Sequence, residues 1–242
     1  MPHRSMNISE AAAYLHLSPT DVELLVKRDE IPHSQQGDRR VFRRAELEAW
    51  ASQRILGLST ARLSEYHSKS SSAARSQSPG DELMAQLLTV DRIAPALSSR
   101  TRASAIHDMV ALAETTDLVS DPRELLQTIE SREKLCSTAL PGGFALLHPR
   151  QHDPYMFAES FAVLGKTVQP IHFGAEDGRP TDLFFLICCQ NDRLHLHTLA
   201  RLCTMAQRTS LLDDVREAGS PTEMLDAILD SERQLISHPH KS

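Results

Sequence analysis

Hydrophobic and polar positions in the first 56 residues follow the pattern of two short helices and a hairpin. Apolar residues at helical spacing predict one helix after an N-cap at Ser9 and a second after a Ser18–Pro19 cap. The next segment, IPHSQQGDRRVF, predicts a hairpin that turns near Gly37 and Asp38, and RRAELEAW predicts a closing helix. This order indicates a small winged helix-turn-helix domain over residues 1–56.

Residues 57–80 are rich in serine and poor in large apolar side chains. Such a segment cannot bury enough surface to offset the entropy that a chain loses when it becomes ordered. The composition therefore predicts a flexible linker between two domains.

Residues 81–242 combine longer helical patterns with apolar strands. The segment 182–189 is apolar on both faces, which indicates a strand at the centre of a sheet, and 161–168 indicates a neighbouring strand. Helical patterns precede and follow them, one opened by an Asp121 cap and one by Ser220 and Pro221. The expected fold class is α/β, with a central mixed sheet flanked by helices.

Charge is distributed unevenly between these regions. Residues 1–54 carry eight basic and eight acidic side chains, whereas residues 81–242 carry fifteen and twenty-three. The acidic region is unsuited to lie on nucleic acid by itself, so any DNA contact is expected from the N-terminal part. No apolar run approaches the ~18 residues that a membrane span needs, and the start of the sequence lacks the apolar core of a signal peptide. We therefore expect a cytoplasmic protein with no membrane insertion.

The four cysteines form no C-x-x-C pair and are expected to be reduced, buried thiols. Cys188 and Cys189 are adjacent on a predicted strand and would point to opposite faces, which argues against a metal site. No metal and no cofactor are expected.

The N-terminal part resembles the excisionase and MerR-type helix-turn-helix family. The resemblance rests on NISEAAAYLHLS and on IPHSQQGDRRVFRRAELEAW at the family's spacing. It implies that the second helix enters the major groove and that the hairpin holds DNA phosphates. Asp21 and Glu23 on that helix would repel the DNA backbone, so a protein-docking or dimerising role is the alternative. The candidate DNA-binding residues are Lys27, Arg28, Arg39, Arg40, Arg43 and Arg44.

The C-terminal region resembles the enzyme IIA domains of the phosphotransferase system, in the fructose, mannitol and nitrogen-regulatory class. Three ordered segments support this: SREKLCSTALPGGFALLHPR, PIHFGAEDGRPTDLFFLICC and LHLHTLARL. The resemblance implies a phosphoryl group carried on His148, received from the histidine-containing phosphocarrier protein. Imidazole suits this role, because it is neutral near pH 7 and leaves readily. We expect His148 at a strand end and open to a partner; the alternative is a surface histidine in a loop.

Two histidines, His195 and His197, could assist, but residues two apart on a helix point about 200° away from each other. Asp192 is a possible N-cap that would place His195 in the first turn, where free N–H groups favour an anion. His195 also matches the family's second histidine, so it is assigned to steady the phosphoryl oxygens. His197 is expected to be solvated or half-buried.

Arg132, Thr138 and Arg150 are the candidate phosphate-binding residues. The family has proline before and glycine after its active histidine, whereas this chain has Leu147 and Pro149. Proline lacks an N–H and restricts the preceding residue, so one possible phosphate donor is missing. The sequence therefore supports two functions: a regulatory phosphoryl acceptor linked to DNA-binding regulation, or a non-catalytic binding module of a transcriptional regulator. The downstream regulatory partner is not indicated.

Overall fold

The computed structural model describes residues 5–15, 17–37, 39–57, 62–63, 66, 82–150 and 155–237. The predicted linker lies almost wholly outside the described residues. Of its described members, Leu63 and Tyr66 are buried, and Tyr66 lies beside Leu15 and Ile55 of the N-terminal domain.

The N-terminal domain contains three helices and a small antiparallel sheet. Its elements are β1 (Ser5–Met6), α1 (Ile8–Leu15), α2 (Pro19–Lys27), β2 (Ser34–Gln36), β3 (Arg39–Arg43) and α3 (Arg44–Leu56). The strand order is β1-β3-β2, so β2 and β3 form the predicted hairpin. Its turn includes Gly37 at a φ of 60°, and Asp38 lies outside the described residues. The helix-turn-helix and hairpin predictions are confirmed.

Capping residues set where these helices begin. Ser18 and Asp21 form a capping box at α2, as the Ser18 prediction requires. At α1 the prediction was wrong, because Asn7 and not Ser9 is the cap. The Asn7 side chain accepts from the Glu10 N–H at 2.9 Å, and the Glu10 carboxylate accepts from the Asn7 N–H at 2.9 Å. Ser9 already lies inside the helix.

The C-terminal domain is the predicted mixed sheet flanked by helices. Its elements are α4 (Met84–Leu87), a 3₁₀ turn (Val90–Arg92), β4 (Ile93–Leu97), α5 (Arg102–Glu114), α6 (Pro122–Glu133), β5 (Ala139–Leu140), β6 (Phe144–Leu147), β7 (Phe161–Ile171), β8 (Thr181–Cys188), α7 (Asp192–Arg208), α8 (Leu211–Glu217) and α9 (Pro221–Ser237). The strand order is β4-β7-β8-β6-β5, with both parallel and antiparallel pairs. Within the described part of the chain, no helix is long and apolar enough to cross a membrane.

Strand β8 lies at the centre of the sheet, as its apolar pattern predicts. Phe185 and Ile187 belong to one apolar cluster, and Phe184 and Leu186 belong to the other. The first cluster contains α7 to α9, and the second contains α5 and α6. This period of two explains why every position from 183 to 188 of the strand is apolar. The adjacent Cys188 and Cys189 also fall in different clusters, as expected.

The turn between β5 and β6 fixes the strand that leads to His148. Gly142 and Gly143 have φ values of 98° and 81°, a region that favours glycine. The Arg216 guanidinium donates to the Gly142 carbonyl at 2.6 Å and to Asp182 at 2.8 Å. A Cβ on Gly143 would lie 2.9 Å from the Arg216 Nη2, so this turn requires glycine for space as well as for conformation.

We expect Glu232→Ala to cost about 3–5 kcal/mol of unfolding free energy, because it removes one partner of a buried ion pair. The Glu232 carboxylate lies 2.7 Å from Arg201, and both side chains are buried. It also accepts the N–H groups of Leu83 and Met84 at 2.9 and 2.8 Å, which joins α4 to α9. Urea denaturation measures the loss.

Asp230→Ala is the matched control on the same helix, since Asp230 pairs with Arg233 at the surface. It should cost under about 1 kcal/mol. Equal small losses in both variants would show that the buried pair does not stabilise the fold.

Candidate functional site

His148 follows the last residue of β6 and is only 2% exposed. Its Nδ1 lies 2.9 Å from the Leu146 carbonyl oxygen. A carbonyl oxygen can only accept, so Nδ1 carries the proton and Nε2 keeps a lone pair in the neutral ring. His148 is therefore held in the tautomer whose Nε2 carries the lone pair. The prediction of a strand end is confirmed, but the prediction of an open histidine was wrong, because the ring is buried.

Arg132, in the last turn of α6, faces this nitrogen. Its Nε donates to His148 Nε2 at 3.0 Å, and its Nη1 donates to the Cys136 carbonyl at 3.1 Å. Its Nη2 is buried and has no hydrogen-bond partner among the described residues. Buried guanidinium N–H groups favour an acceptor, and a phosphoryl oxygen is a strong one.

The thiol of Cys136 also accepts from Arg132 Nη1, at 3.3 Å. It is half-buried, which corrects the expectation of a buried thiol. The other three cysteines are buried as expected, and burial raises the pKa of Cys189 and of Cys203 to about 12.

His195 lies in α7 and is fully buried beside His148. The two ring centroids are 4.8 Å apart, with the planes inclined at 50°. This contact agrees with the argument that His195 and not His197 faces the site. His197 is buried as well, which corrects the expectation of a solvated or half-buried residue.

The predicted cap of α7 was wrong. Asn191 is the N-cap, and its side chain accepts from the Leu194 N–H at 2.9 Å. Asp192 is the first helical residue, and the His195 N–H is already bonded to the Asn191 carbonyl at 3.1 Å. His195 can therefore contribute its ring, but not a free backbone N–H, to the site.

The two other candidate phosphate-binding residues are placed differently. The Thr138 hydroxyl donates to Glu133 at 2.7 Å, and its N–H donates to the same carboxylate at 3.0 Å. Its carbonyl accepts from the Leu146 N–H at 3.2 Å, so Thr138 supports the strand that ends at His148. Arg150 is exposed, two residues beyond the histidine. The structure thus brings His148, Arg132 and His195 together.

A second set of contacts at this site was not predicted. Asp192 is 2% exposed and accepts from the Tyr14 hydroxyl at 2.7 Å and from Arg44 Nε at 2.5 Å. The Ser52 hydroxyl lies 3.2 Å from His195 Nε2. Helix α3 of the N-terminal domain therefore lies against α7 of the C-terminal domain. In the sequence, this contact corresponds to polar residues at positions 44, 48 and 52, which lie on one side of α3. Glu48 and Ser52 are buried.

All six candidate DNA-binding side chains are exposed: Lys27, Arg28, Arg39, Arg40, Arg43 and Arg44. Lys27 of α2 and Arg40 of the hairpin line one cleft, together with Glu23 and Gln35. Helix α2 and the hairpin are thus neighbours, as in a winged helix-turn-helix. Arg44 differs from the other five, because it is paired with Asp192.

Comparison with protein families bears on both domains. Residues 86–231 match the family model described as "Phosphoenolpyruvate-dependent sugar phosphotransferase system, EIIA 2". The chain belongs to the EIIA 2 family. Residues 5–55 match a helix-turn-helix domain model, so the EIIA 2 domain is preceded by a helix-turn-helix domain. Both resemblances inferred from the sequence are confirmed.

Individual relatives agree with this placement. The EIIA 2 region is similar to the nitrogen regulatory protein of Escherichia coli, with 31% identity over 113 residues that make up 46% of this chain and 68% of that protein. It is 26% identical over 145 residues to the Bacillus subtilis PTS system fructose-specific EIIABC component, covering 59% of this chain and 22% of that protein. The chain thus spans about a fifth of the B. subtilis protein.

The EIIA 2 fold is also seen in solved structures. The nitrogen regulatory protein IIA-Ntr of Neisseria meningitidis superposes with a TM-score of 0.52 at 21% identity, covering 60% of this chain and 99% of that chain. This likeness shows that the two proteins share a fold.

Proposed function

We propose that this protein is a regulatory enzyme IIA that accepts a phosphoryl group on Nε2 of His148. The observation that carries the proposal is the pair of contacts on the imidazole. The Leu146 carbonyl holds the proton on Nδ1, and Arg132 faces the lone pair of Nε2. The ring is thereby oriented before a donor arrives, and positioning supplies much of the catalysis in group transfer.

The transfer is an in-line displacement at phosphorus. The hydrogen bond from Arg132 Nε to His148 Nε2 must first break, which frees the Nε2 lone pair. That lone pair forms the new P–N bond, while the P–N bond to the donor's imidazole breaks and its electron pair returns to that ring. The proton stays on Nδ1, hydrogen-bonded to the Leu146 carbonyl, so the step needs no proton transfer. Arg132 Nη2 and the His195 ring would hold the phosphoryl oxygens, and no metal or cofactor takes part.

The proposed donor is the histidine-containing phosphocarrier protein of a cytoplasmic phosphotransferase system. Similarity to nitrogen regulatory proteins and the helix-turn-helix domain both favour a regulatory role over sugar uptake. In this role the domain of residues 1–56 contacts DNA, and the domain of residues 81–242 accepts the phosphoryl group. The linker, residues 57–80, connects the two.

A second function, a non-catalytic binding module, is favoured by two observations. His148 is almost fully buried, and Leu147 and Pro149 replace the proline and glycine that the family places around its histidine. One experiment separates the two functions: incubation of the protein with enzyme I, the phosphocarrier and ³²P-labelled phosphoenolpyruvate. Label that depends on all three components supports the acceptor, and an unlabelled protein supports the binding module.

For the N-terminal domain, we expect the double variant Arg39→Ala, Arg40→Ala to weaken DNA binding at all sequences. Each lost phosphate contact should lower the slope of log K against log salt by about 0.9, so the slope should fall by up to about 2. Fluorescence anisotropy of the full-length protein on genomic fragments, across a salt series, measures both effects.

The matched control for this experiment is Arg123→Ala, an exposed arginine of the C-terminal domain that should change nothing. Glu23→Gln should strengthen binding by relieving repulsion. Asp21 is unsuitable for that test, because its carboxylate caps α2. Absence of salt-sensitive binding at low ionic strength would instead support a protein-docking domain.

A further inference from the structure

Helix α3 of the helix-turn-helix domain crosses the face of the enzyme IIA domain that contains His148. At its start, Arg44 pairs with Asp192 at the N-terminus of α7. Two turns later, Ser52 lies against His195. At its end, Gln53 and Leu56 line a cavity shared with Cys136 and Ser137. Since Cys136 contacts Arg132, these contacts lie on both sides of the His148 site.

The α3 face that makes these contacts has the chemistry of an interface. Arg44, Glu48 and Ser52 are spaced by four residues, so they lie on one side of the helix. Glu48 is 5% exposed and Ser52 is 3% exposed. Polar side chains are rarely so buried on a small domain unless a partner surface supplies contacts, and here α7 supplies them.

Asp192 depends on the same contact. A buried carboxylate is costly unless it is paired, and the helix-turn-helix domain supplies two partners of this one, the Tyr14 hydroxyl and the Arg44 guanidinium. Burial and the Asp192 carboxylate raise the pKa of Tyr14 well above its usual range, so the phenol keeps its proton and stays a donor. The N-terminus of α7 thus carries a buried carboxylate to which the helix-turn-helix domain donates two hydrogen bonds.

Neither imidazole of the site is accessible: His148 is 2% exposed, and His195, which Ser52 of α3 contacts, is fully buried. A protein donor must bring its own phosphohistidine within bonding distance of His148 Nε2. We propose that the surface around His148 binds α3 and the phosphoryl donor in turn, so that the helix-turn-helix domain must leave before transfer occurs. A phosphoryl group on His148 would add close to two negative charges beside His195, the residue that Ser52 contacts, and would prevent the return of α3. This inference rests on the proposed function.

The test uses full-length variants that weaken the contact without changing His148, Arg132 or His195. The double variant Tyr14→Phe, Arg44→Ala removes two donors from Asp192. Ser52→Arg acts independently, by placing a long cation against His195. Glu46→Ala is the matched control, because Glu46 is exposed on the same helix, two residues after Arg44, and pairs with Arg43.

Two readouts are needed. The first is the initial rate of phosphorylation by the labelled phosphocarrier. It should rise by roughly tenfold or more in Tyr14→Phe, Arg44→Ala and in Ser52→Arg, the two opening variants, because a minor open state limits the wild type. It should stay unchanged in Glu46→Ala. The second is carbethoxylation by diethyl pyrocarbonate, mapped by mass spectrometry, which reports access to His148 without any phosphoryl donor. The exposed His107 and His172 are internal references.

In the wild type, we expect His148 to react at least about tenfold more slowly than His107, and to approach its rate in the opening variants. Equal phosphorylation rates in wild type and opening variants would overturn the inference and leave the proposed function intact. Carbethoxylation of wild-type His148 as fast as that of His107 would also overturn it. Faster carbethoxylation of the variants with no phosphoryl label in any protein would support the covering role of α3 and refute the proposed function.

Discussion

His148→Ala should abolish phosphoryl labelling, while His195→Ala should leave the acceptor and slow its reaction by roughly 10²–10³-fold. The difference follows from the geometry. His148 carries the nucleophilic Nε2, whereas His195 stands beside it with ring centroids 4.8 Å apart and forms no bond to phosphorus. Rates are measured with labelled phosphocarrier in rapid-quench experiments.

Both histidines are buried, so the variants must be shown to be folded by circular dichroism and by an unchanged elution volume. His197→Ala is a useful comparison, because His197 is also buried on α7 but is turned away from His195 by the helix. It should label at close to the wild-type rate. Full labelling of His148→Ala would refute the assignment of the acceptor.

Arg132→Met should lower the transfer rate by roughly 10²–10³-fold, the cost of removing one oriented donor from developing charge. Arg132 is the buried cation that touches Nε2, and its Nη2 has no acceptor among the described residues. Arg132→Lys should recover only part of the rate, because an ammonium group cannot replace the planar fork of the guanidinium.

Arg150→Ala tests the other arginine near the histidine. Its side chain is exposed and its charge is screened by water and salt, so we expect a change of no more than about twofold. A larger effect at Arg150 than at Arg132 would show that the phosphoryl group is held from the solvent side of His148.

The parts of the structure that follow from local patterns were predicted from the sequence. Strand β8 is recognisable because both of its faces meet apolar helices, and α2 because Ser18 and Pro19 are strong start signals. The position of His148 at a strand end follows from the apolar run before it. Caps were less certain, since Asn7 and Ser9, or Asn191 and Asp192, are equally suitable by residue type.

The covering of the site could not be predicted, because it depends on contacts between distant residues. Tyr14 and Asp192 are 178 positions apart, and Ser52 and His195 are 143 apart. Arg44, Glu48 and Ser52 do follow one another at helical spacing, but a polar series of this kind is also typical of the solvent face of an amphipathic helix. Arg44 was grouped with the DNA-binding arginines for the same reason, since charge alone does not reveal whether the partner is a phosphate or a carboxylate.

The central claim is that His148 is phosphorylated on Nε2 while Nδ1 keeps its proton. It is tested most directly by NMR of the full-length protein with ¹⁵N-labelled histidine, after incubation with enzyme I, the phosphocarrier and phosphoenolpyruvate. We expect one histidine, absent from His148→Ala, whose ³¹P coupling places phosphorus on Nε2 and whose Nδ1 retains its hydrogen bond to the Leu146 carbonyl. Phosphorus on Nδ1, on His195, or on no histidine of the protein would contradict the account.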